Sequence, residues 1–370
     1  MKIDRVTLTH IRIPLIEPFR ISSGEVSVKD AILVGVSAEG VTGYGEASPM
    51  EGTFYSGDTP ESVWEALTNT MVPATLRGKA DSIDSVNAIL DGIEGSPFAK
   101  AGIETAFWDL EGQRTCKPVL ELLGGQYHSL ESGLAVGIYP DIKSLLASIN
   151  RYMPEGYKRI KIKIEPGWDV KPLEAVRREF ADFPLMVDAN GAYSDEHMDH
   201  LGSLEKFGLM MIEQPFPRNR LQWHAELQNK MKTPLCLDES AEDIASLREA
   251  FALKACRIVN IKIQRVGGLK KAKNMHDMCA EAGIPVWGGT MPELGVGGAQ
   301  TLHLATLANF KYPTDVESSR RWFVDDIVEP ALEVRNGTLQ IPVGSGNCHR
   351  IAEPVLKKYK IAEMLFKGSE

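Results

Sequence analysis

Residues 159–166 read RIKIKIEP. Side chains alternate along an extended strand, so Arg159, Lys161 and Lys163 share one face and Ile160, Ile162 and Ile164 the other. A strand at the protein surface would send those cations into water. A strand of a closed barrel would send them into the middle of the domain, and the flanking sequence decides between the two. Similar short apolar runs recur: GLAVGI (133–138), PLMVDAN (184–190), GLMMIEQP (208–215), PLCLDES (234–240), RIVNIKI (257–263) and IPVWGG (284–289). Between them, segments such as DIASLREAFAL and GGLKKAKNMHDMCAEAG space their apolar residues as amphipathic helices do. Strands alternating with helices predict a parallel sheet with helical crossovers. About seven consecutive units suit a closed (β/α) barrel better than an open sheet.

Ionisable residues keep the same rhythm. Lys163 to Asp188 is 25 positions, as are Asp188 to Glu213 and Glu213 to Asp238, and Lys262 follows 24 later. Each stands at or near the C-terminal end of its strand, and in a barrel those ends adjoin around one rim. One aspartate closing a strand is usually a cap or turn former, and one lysine in a strand usually faces solvent. Five such groups in step are different, because barrel strands are covered by helices outside and packed side chains inside. Buried charges are costly unless compensated, and opposite charges gathered around a metal compensate each other. Three carboxylates from separate strands, without cysteine or histidine, favour a hard cation: Mg2+, or Mn2+. Asp188, Glu213 and Asp238 are the expected ligands. Lys163 and Lys262 flank them and suit a general base and acid across the α-carbon of a carboxylate substrate. The metal's charge, each other's charge and burial should lower their ammonium pKa values. The cations of residues 159–163 are therefore expected to point inward, toward an anionic substrate.

The remaining composition narrows the field. The 370 residues are 43% hydrophobic and 25% charged, an ordinary globular balance, and the formal net charge of −9 argues against nucleic acid or an anionic membrane as partner. The N-terminus MKIDRVTLTHIRIPL alternates like a strand and lacks the apolar stretch of a signal peptide, and no segment is apolar for long enough to span a bilayer. Five scattered cysteines form no C-x-x-C pair, so neither a disulfide framework nor a zinc site is expected. A cytoplasmic location is expected. The oligomeric state is left open, a homo-oligomer included.

The runs Lys161-Ile-Lys163, Asp188-Ala-Asn190, Glu213-Gln-Pro, Asp238-Glu239-Ser and Asn260-Ile-Lys262 resemble the enolase superfamily, specifically its muconate-lactonizing subgroup. The flanks share the resemblance: VTGYGEASP (41–49) and GIETAFWDLEGQRTCKPVLELLGG (102–125) resemble the family's capping domain and its junction with the barrel. The resemblance implies an α/β fold, a modified TIM barrel (β/α)7β with an N-terminal α+β capping domain completed by the C-terminal segment. The expected parts are residues 1–127 (cap), 128–324 (barrel) and 325–370 (return to the cap). It also implies divalent-metal-dependent abstraction of the α-proton of a small carboxylate through an enolate. Lys161 would orient the substrate carboxylate, with Asn190 and Glu239 supporting the metal and Lys262. A loop near Phe19–Gly24 would close over the barrel mouth.

Phe19, Tyr55 in GTFYSGDT (52–59) and Phe323 in DVESSRRWFVDDI (315–327) resemble the pocket walls of N-acylamino acid racemases and o-succinylbenzoate synthases. Glu293 is expected near the substrate carboxylate. The run GGTMPELG (288–295) and Ala135 depart from the acylamino acid pattern, and both fall in the expected pocket. Dipeptide epimerases usually carry an Asp-x-Asp motif after the last strand, which the segment PTDVESSRRWF lacks, so that reading ranks lower, alongside a muconate-type cycloisomerase. From other classes, a Schiff-base aldolase using Lys163 or Lys262 leaves the three carboxylates unexplained. A non-catalytic binding barrel leaves the complete acid–base set unexplained.

Overall fold

The computed structural model describes residues 2–127 and 129–368. The chain begins with a long antiparallel arm, β1 (Arg5–Ile21) and β2 (Gly24–Ala38), followed by β3 (Val41–Ala47). Alternating apolar residues of these strands (Val6, Leu8, Ile32, Val34, Val36) bury one face against α1 (Pro97–Thr115). Gly43 and Gly45 make this close approach feasible: a Cβ on either would lie about 2.1 Å from the α1 backbone. Between β3 and α1 in sequence, Thr59 opens a helical stretch with a capping box to Ser62. It passes through a π-helical turn (Ala66–Met71) immediately before Pro73, where a missing N–H breaks the regular ladder.

Seven parallel strands follow: β4 (Leu134–Val136), β5 (Ile160–Lys163), β6 (Leu185–Asp188), β7 (Ile212–Glu213), β8 (Leu235–Leu237), β9 (Ile258–Ile261) and β10 (Val286–Gly288). They pair in sequence order. The crossovers contain α2 (Ile142–Tyr152), α3 (Val170–Glu179), α4 (Met198–Ser203), α5 (Leu221–Lys230), α6 (Ile244–Leu253) and α7 (Leu269–Glu281). The eighth stave is a pair of backbone contacts: Asp315 N–H donates to Gly288 O on one side, and Gly133 N–H donates to Thr314 O on the other, each at 2.9 Å. These contacts close the ring of a modified (β/α)7β barrel. Helix α8 (Gly295–Ala305) follows β10.

The isoleucines of RIKIKIEP pack outward with Leu145, Ile149 and Leu173 of α2 and α3, while Lys161 and Lys163 face the barrel interior. A separate apolar plug of Met186, Met211, Cys236, Ile258 and Trp287 fills the interior beneath them. The C-terminal segment serves both parts. Leu332, Val334, Leu339 and Ile341 join the barrel core, and β11 (Lys360–Lys367) adds antiparallel to β1 at the edge of the cap sheet. Among the described residues, no helix is long and apolar enough to cross a membrane.

Expected as a loop, the segment near Phe19–Gly24 is the tip of the β1–β2 arm, turning at Ser22–Ser23. It is docked on the barrel: Ser22 Oγ donates to Ala189 O (3.0 Å), Ile138 N–H donates to Arg20 O (2.8 Å), and Arg20 pairs with Glu165. A Cβ on Gly24 would meet the Phe54 ring at 2.5 Å, so only glycine lets the arm and the segment around Tyr55 pack together here.

Candidate active site

The sequence rhythm becomes a ladder. Lys163 is in register with Asp188, and Asp188 with Glu213. Glu213 then pairs with Cys236, so Asp238 stands two residues higher, just past the end of β8. Such a stagger belongs to a barrel with tilted strands, and a step of two keeps Asp238 on the inward face. Asp188, Glu213 and Asp238 are fully buried, and each offers a carboxylate oxygen, all lying within 4.8 Å of one another. Burial, with Asp188 beside it, pushes the Glu213 carboxyl upward. That crowding of like charge, together with an all-oxygen donor set, fits a hard divalent cation.

Two cationic flanks enclose the carboxylates. On one, Lys163 donates to Asp188 Oδ2 and, at 2.9 Å, to Asn190 Oδ1. Asn190 Nδ2 donates to Glu239 Oε1 at 2.8 Å, so the two expected supporting residues form one chain ending at Lys163. Glu239 therefore reaches toward Lys163 through Asn190, as well as standing next to Asp238. On the other flank, Lys262 donates to Asp238 Oδ2 (2.8 Å) and to the Tyr55 hydroxyl (3.0 Å). Burial lowers the Lys262 ammonium, but Asp238, Tyr55 and Glu213 together hold it well above its ordinary range. A cation held by Asp238 would weaken that upward pull.

Lys161 sits one inward position below Lys163, over the Trp287 ring at 4.8 Å from its centroid. Its ammonium donates to Asp315 and also faces Glu213 Oε2 at 3.4 Å and Asp188 Oδ2 at 3.8 Å. Asp315 additionally accepts from Arg159 Nη2 at 2.8 Å. The eighth stave thus contributes a carboxylate that the sequence rhythm did not flag, because no strand-like run announces it. The segment does carry an acidic pair, Asp315-Val316-Glu317, but neither member is free for a substrate ammonium. Asp315 is matched by Arg159 and Lys161, and Glu317 faces Arg321 while accepting from Ala135 N–H.

Arg265, one helical turn past Lys262, is a second residue the rhythm did not reveal. It donates to Asp238 Oδ1, Asn260 O (2.6 Å) and Ala241 O (3.2 Å), while Asn260 Nδ2 donates to Glu213 Oε1 at 2.6 Å. Gln214 holds the loop after β8 by accepting from Asp238 N–H (3.0 Å) and Ser240 N–H (3.1 Å). Asn190 and Gln214 both have positive φ, 45° and 38°. Left-handed backbone of this kind, just past a strand end, commonly accompanies functional sites.

A narrow chamber lies above these groups, with Lys161, Lys163 and Lys262 in its floor. Phe19, Tyr55 and Ala135 line it, joined by Met50, Thr290, Pro292 and Trp322. Phe19 presents its ring 6.0 Å from Lys163 Nζ and packs edge-on to Trp322. Phe323 and Glu293 line an adjoining hollow that shares Thr290, Pro292, Asp315 and Trp322 with the chamber; Phe323 also packs in the apolar cluster beneath the arm, and Glu293 lies by Lys29 and Glu46 at the cap–barrel junction. The divergent segment Thr290–Gly295 thus reaches the chamber through Thr290 and Pro292.

This fold and this site are those of the enolase superfamily, to which the chain belongs. Residues 3–124 match the mandelate racemase / muconate lactonizing enzyme N-terminal domain, and residues 144–355 match the enolase C-terminal domain-like family. A protein of Geobacillus kaustophilus named o-succinylbenzoate synthase is 41% identical over 367 residues, 99% of this chain and 98% of that one. An Amycolatopsis protein named N-succinylamino acid racemase is 40% identical over 347 residues, 94% of each chain. A crystal structure of an enolase-superfamily member from Listeria innocua superposes with a TM-score of 0.94 at 34% identity, covering both chains fully.

Proposed function

We propose that the protein removes the α-proton of N-succinylamino acids and of the o-succinylbenzoate precursor, serving as an N-acylamino acid racemase, an o-succinylbenzoate synthase, or both. The observation that carries this reading is the pair of buried lysines, Lys163 and Lys262, standing on opposite flanks of the three-carboxylate cluster beneath one chamber. The names of the relatives at 41% and 40% identity support the substrate class. Asp188, Glu213 and Asp238 would hold the divalent cation, Mg2+ or Mn2+. That cation supplies charge that stabilises the substrate carboxylate as its α-carbon loses a proton.

The chain's own groups do the rest. Lys161, held by Asp315, directs its ammonium at the substrate carboxylate. In racemisation, one of Lys163 and Lys262 takes the α-proton in its neutral form. The other, as an ammonium, returns a proton to the opposite face of the enolate. In dehydration, one lysine takes the α-proton and, as the ammonium so formed, gives it to the departing β-hydroxyl, which leaves as water, while the second lysine stays charged to steady the enolate. Phe19, Tyr55 and Trp322 keep bulk water from the α-carbon, and the two-residue turn of the arm fixes Phe19 there.

Solvent isotope exchange tests this. In D2O the wild type should exchange the α-proton of both enantiomers of an N-succinylamino acid. Lys163→Ala and Lys262→Ala should each abolish racemisation, each retaining exchange of at most the enantiomer that faces the surviving lysine. Removal of either acid–base group should cost roughly 10²-fold or more. Full activity and exchange in either mutant would end the two-lysine reading.

A further inference from the structure

Lys29 of β2 lies outside the chamber and takes no part in the chemistry above, yet it is only 5% exposed. A buried ammonium needs acceptors for its three N–H groups. Lys29 finds all three on backbone carbonyls: Ser48 O at 3.0 Å, Pro49 O at 3.4 Å and Met291 O at 3.3 Å. The first two belong to the cap, immediately before Met50, and the third belongs to the barrel, immediately before Pro292. Met50 and Pro292 are both chamber walls. One side chain therefore sets the spacing between a wall carried by the cap and a wall carried by the barrel.

Glu46 reinforces the same junction from β3. Its carboxylate accepts from Ser48 Oγ, from Leu294 N–H (2.8 Å) and from Gly297 N–H (2.7 Å), so a cap residue also fixes the first turn of α8. Glu293 completes the cluster, with its Oε2 buried and without a hydrogen-bond partner. Burial pushes its carboxyl up to about 7, with Lys29 pulling down and Glu46 pushing up. Gly297 leaves the space this packing needs, since a Cβ there would lie 2.7 Å from the Glu293 side chain.

We infer that Lys29 is a positioning residue for substrate selection: by tying the Ser48–Pro49 and Met291 carbonyls together it fixes the separation of Met50 and Pro292, and hence the substituent the chamber accepts. This rests on the substrate reading proposed above. Lys29 acts through the walls, so its loss changes KM and substrate preference while leaving the lysine chemistry in place.

The test is Lys29→Met, with Lys29→Met/Glu46→Gln as the variant that also removes the carboxylate charge left unbalanced in the junction. Two measurements are made on each. One is kcat and KM for N-succinylalanine and N-succinylphenylalanine. The other is amide hydrogen exchange of residues 48–57 and 290–298. The expected result is about a tenfold or larger change in the ratio of the two KM values, with kcat within about threefold of wild type. Exchange should quicken in both segments, and Lys29→Arg, which keeps the donors, should restore part of the preference. Unchanged exchange in either segment, or a loss confined to kcat or to melting temperature, would overturn the inference. Should the wild type turn over neither substrate, the racemase reading fails, while the exchange measurement still decides whether Lys29 couples the two walls.

Discussion

Asparagine at position 315 would keep the shape of the aspartate and remove its charge. Asp315 is 4% exposed and carries two partners that are buried still deeper, Arg159 at 1% and Lys161 at 3%. Burial works against its ionisation, but Lys161 and Arg159 hold the carboxyl below its usual range. Deleting one partner of a buried ion pair costs about 3–5 kcal/mol, because the charge left behind stays desolvated. Lys161 keeps Glu213 at 3.4 Å and Asp188 at 3.8 Å, so the lower end of that range applies, about 3 kcal/mol. Unfolding entropy of roughly 2.1 cal/mol/K per residue gives about 0.8 kcal/mol/K for a cooperative chain of 370 residues. The metal-free Asp315→Asn protein should therefore melt about 4 °C lower by calorimetry. A second effect follows from the same geometry. Released from Asp315, the Lys161 ammonium moves onto Glu213 and Asp188 and competes for the oxygens a cation would use. Titration with Mg2+ or Mn2+ should show affinity about tenfold weaker, equivalent to about 1.4 kcal/mol. If melting and metal affinity both match wild type, Asp315 does not anchor Lys161 and the reasoning is wrong.

Exhaustive chelation should abolish turnover and added Mg2+ or Mn2+ should restore it, with Asp238→Asn weakening metal binding severely in a protein of wild-type circular dichroism; turnover that survives chelation would falsify the metal assignment. Phe19→Ala opens the chamber wall beside Lys163, so KM should rise or substrate preference change while metal affinity holds, and a change in melting temperature alone would make the residue merely structural. Acid should destabilise the fold through two buried histidines. Burial holds His224 and His303 down at about 4. Leu120 N–H donates to His303 Nδ1, and the Gln214 amide faces His224 Nε2, so protonating either ring breaks a fit. Unfolded histidine titrates near 6.5, so as pH falls the unfolded chain binds protons first. Stability should drop between about pH 6.5 and 4 by about 3 kcal/mol per histidine. Urea midpoints measured at pH 7 and 4.5 check this, and a difference that survives undiminished in His224→Gln would exclude that residue as a source.

The sequence by itself determined the parts of this protein that follow a repeat. Strand and helix alternate with periods that one chain displays openly, and Lys163, Asp188, Glu213, Asp238 and Lys262 recur with that period because each closes an equivalent stave. Position in the repeat therefore implied position on the rim, and the strand period of two implied that Lys161 and Lys163 face inward. Tertiary structure decided whatever depends on segments without a period meeting from afar. Asp315 reaches Lys161 across 154 residues from a stave made of backbone contacts and not of a recognisable strand. Trp322 faces the chamber and its neighbour Phe323 an adjoining hollow, a division made only once the short helical turn packs under the cap arm. Glu293 settles by Lys29 and Glu46 for the same kind of reason: those residues, distant in sequence, offer a buried junction that local spacing could not announce. Local periodicity is written in one segment at a time, whereas a wall between cap and barrel exists only once both have folded and met.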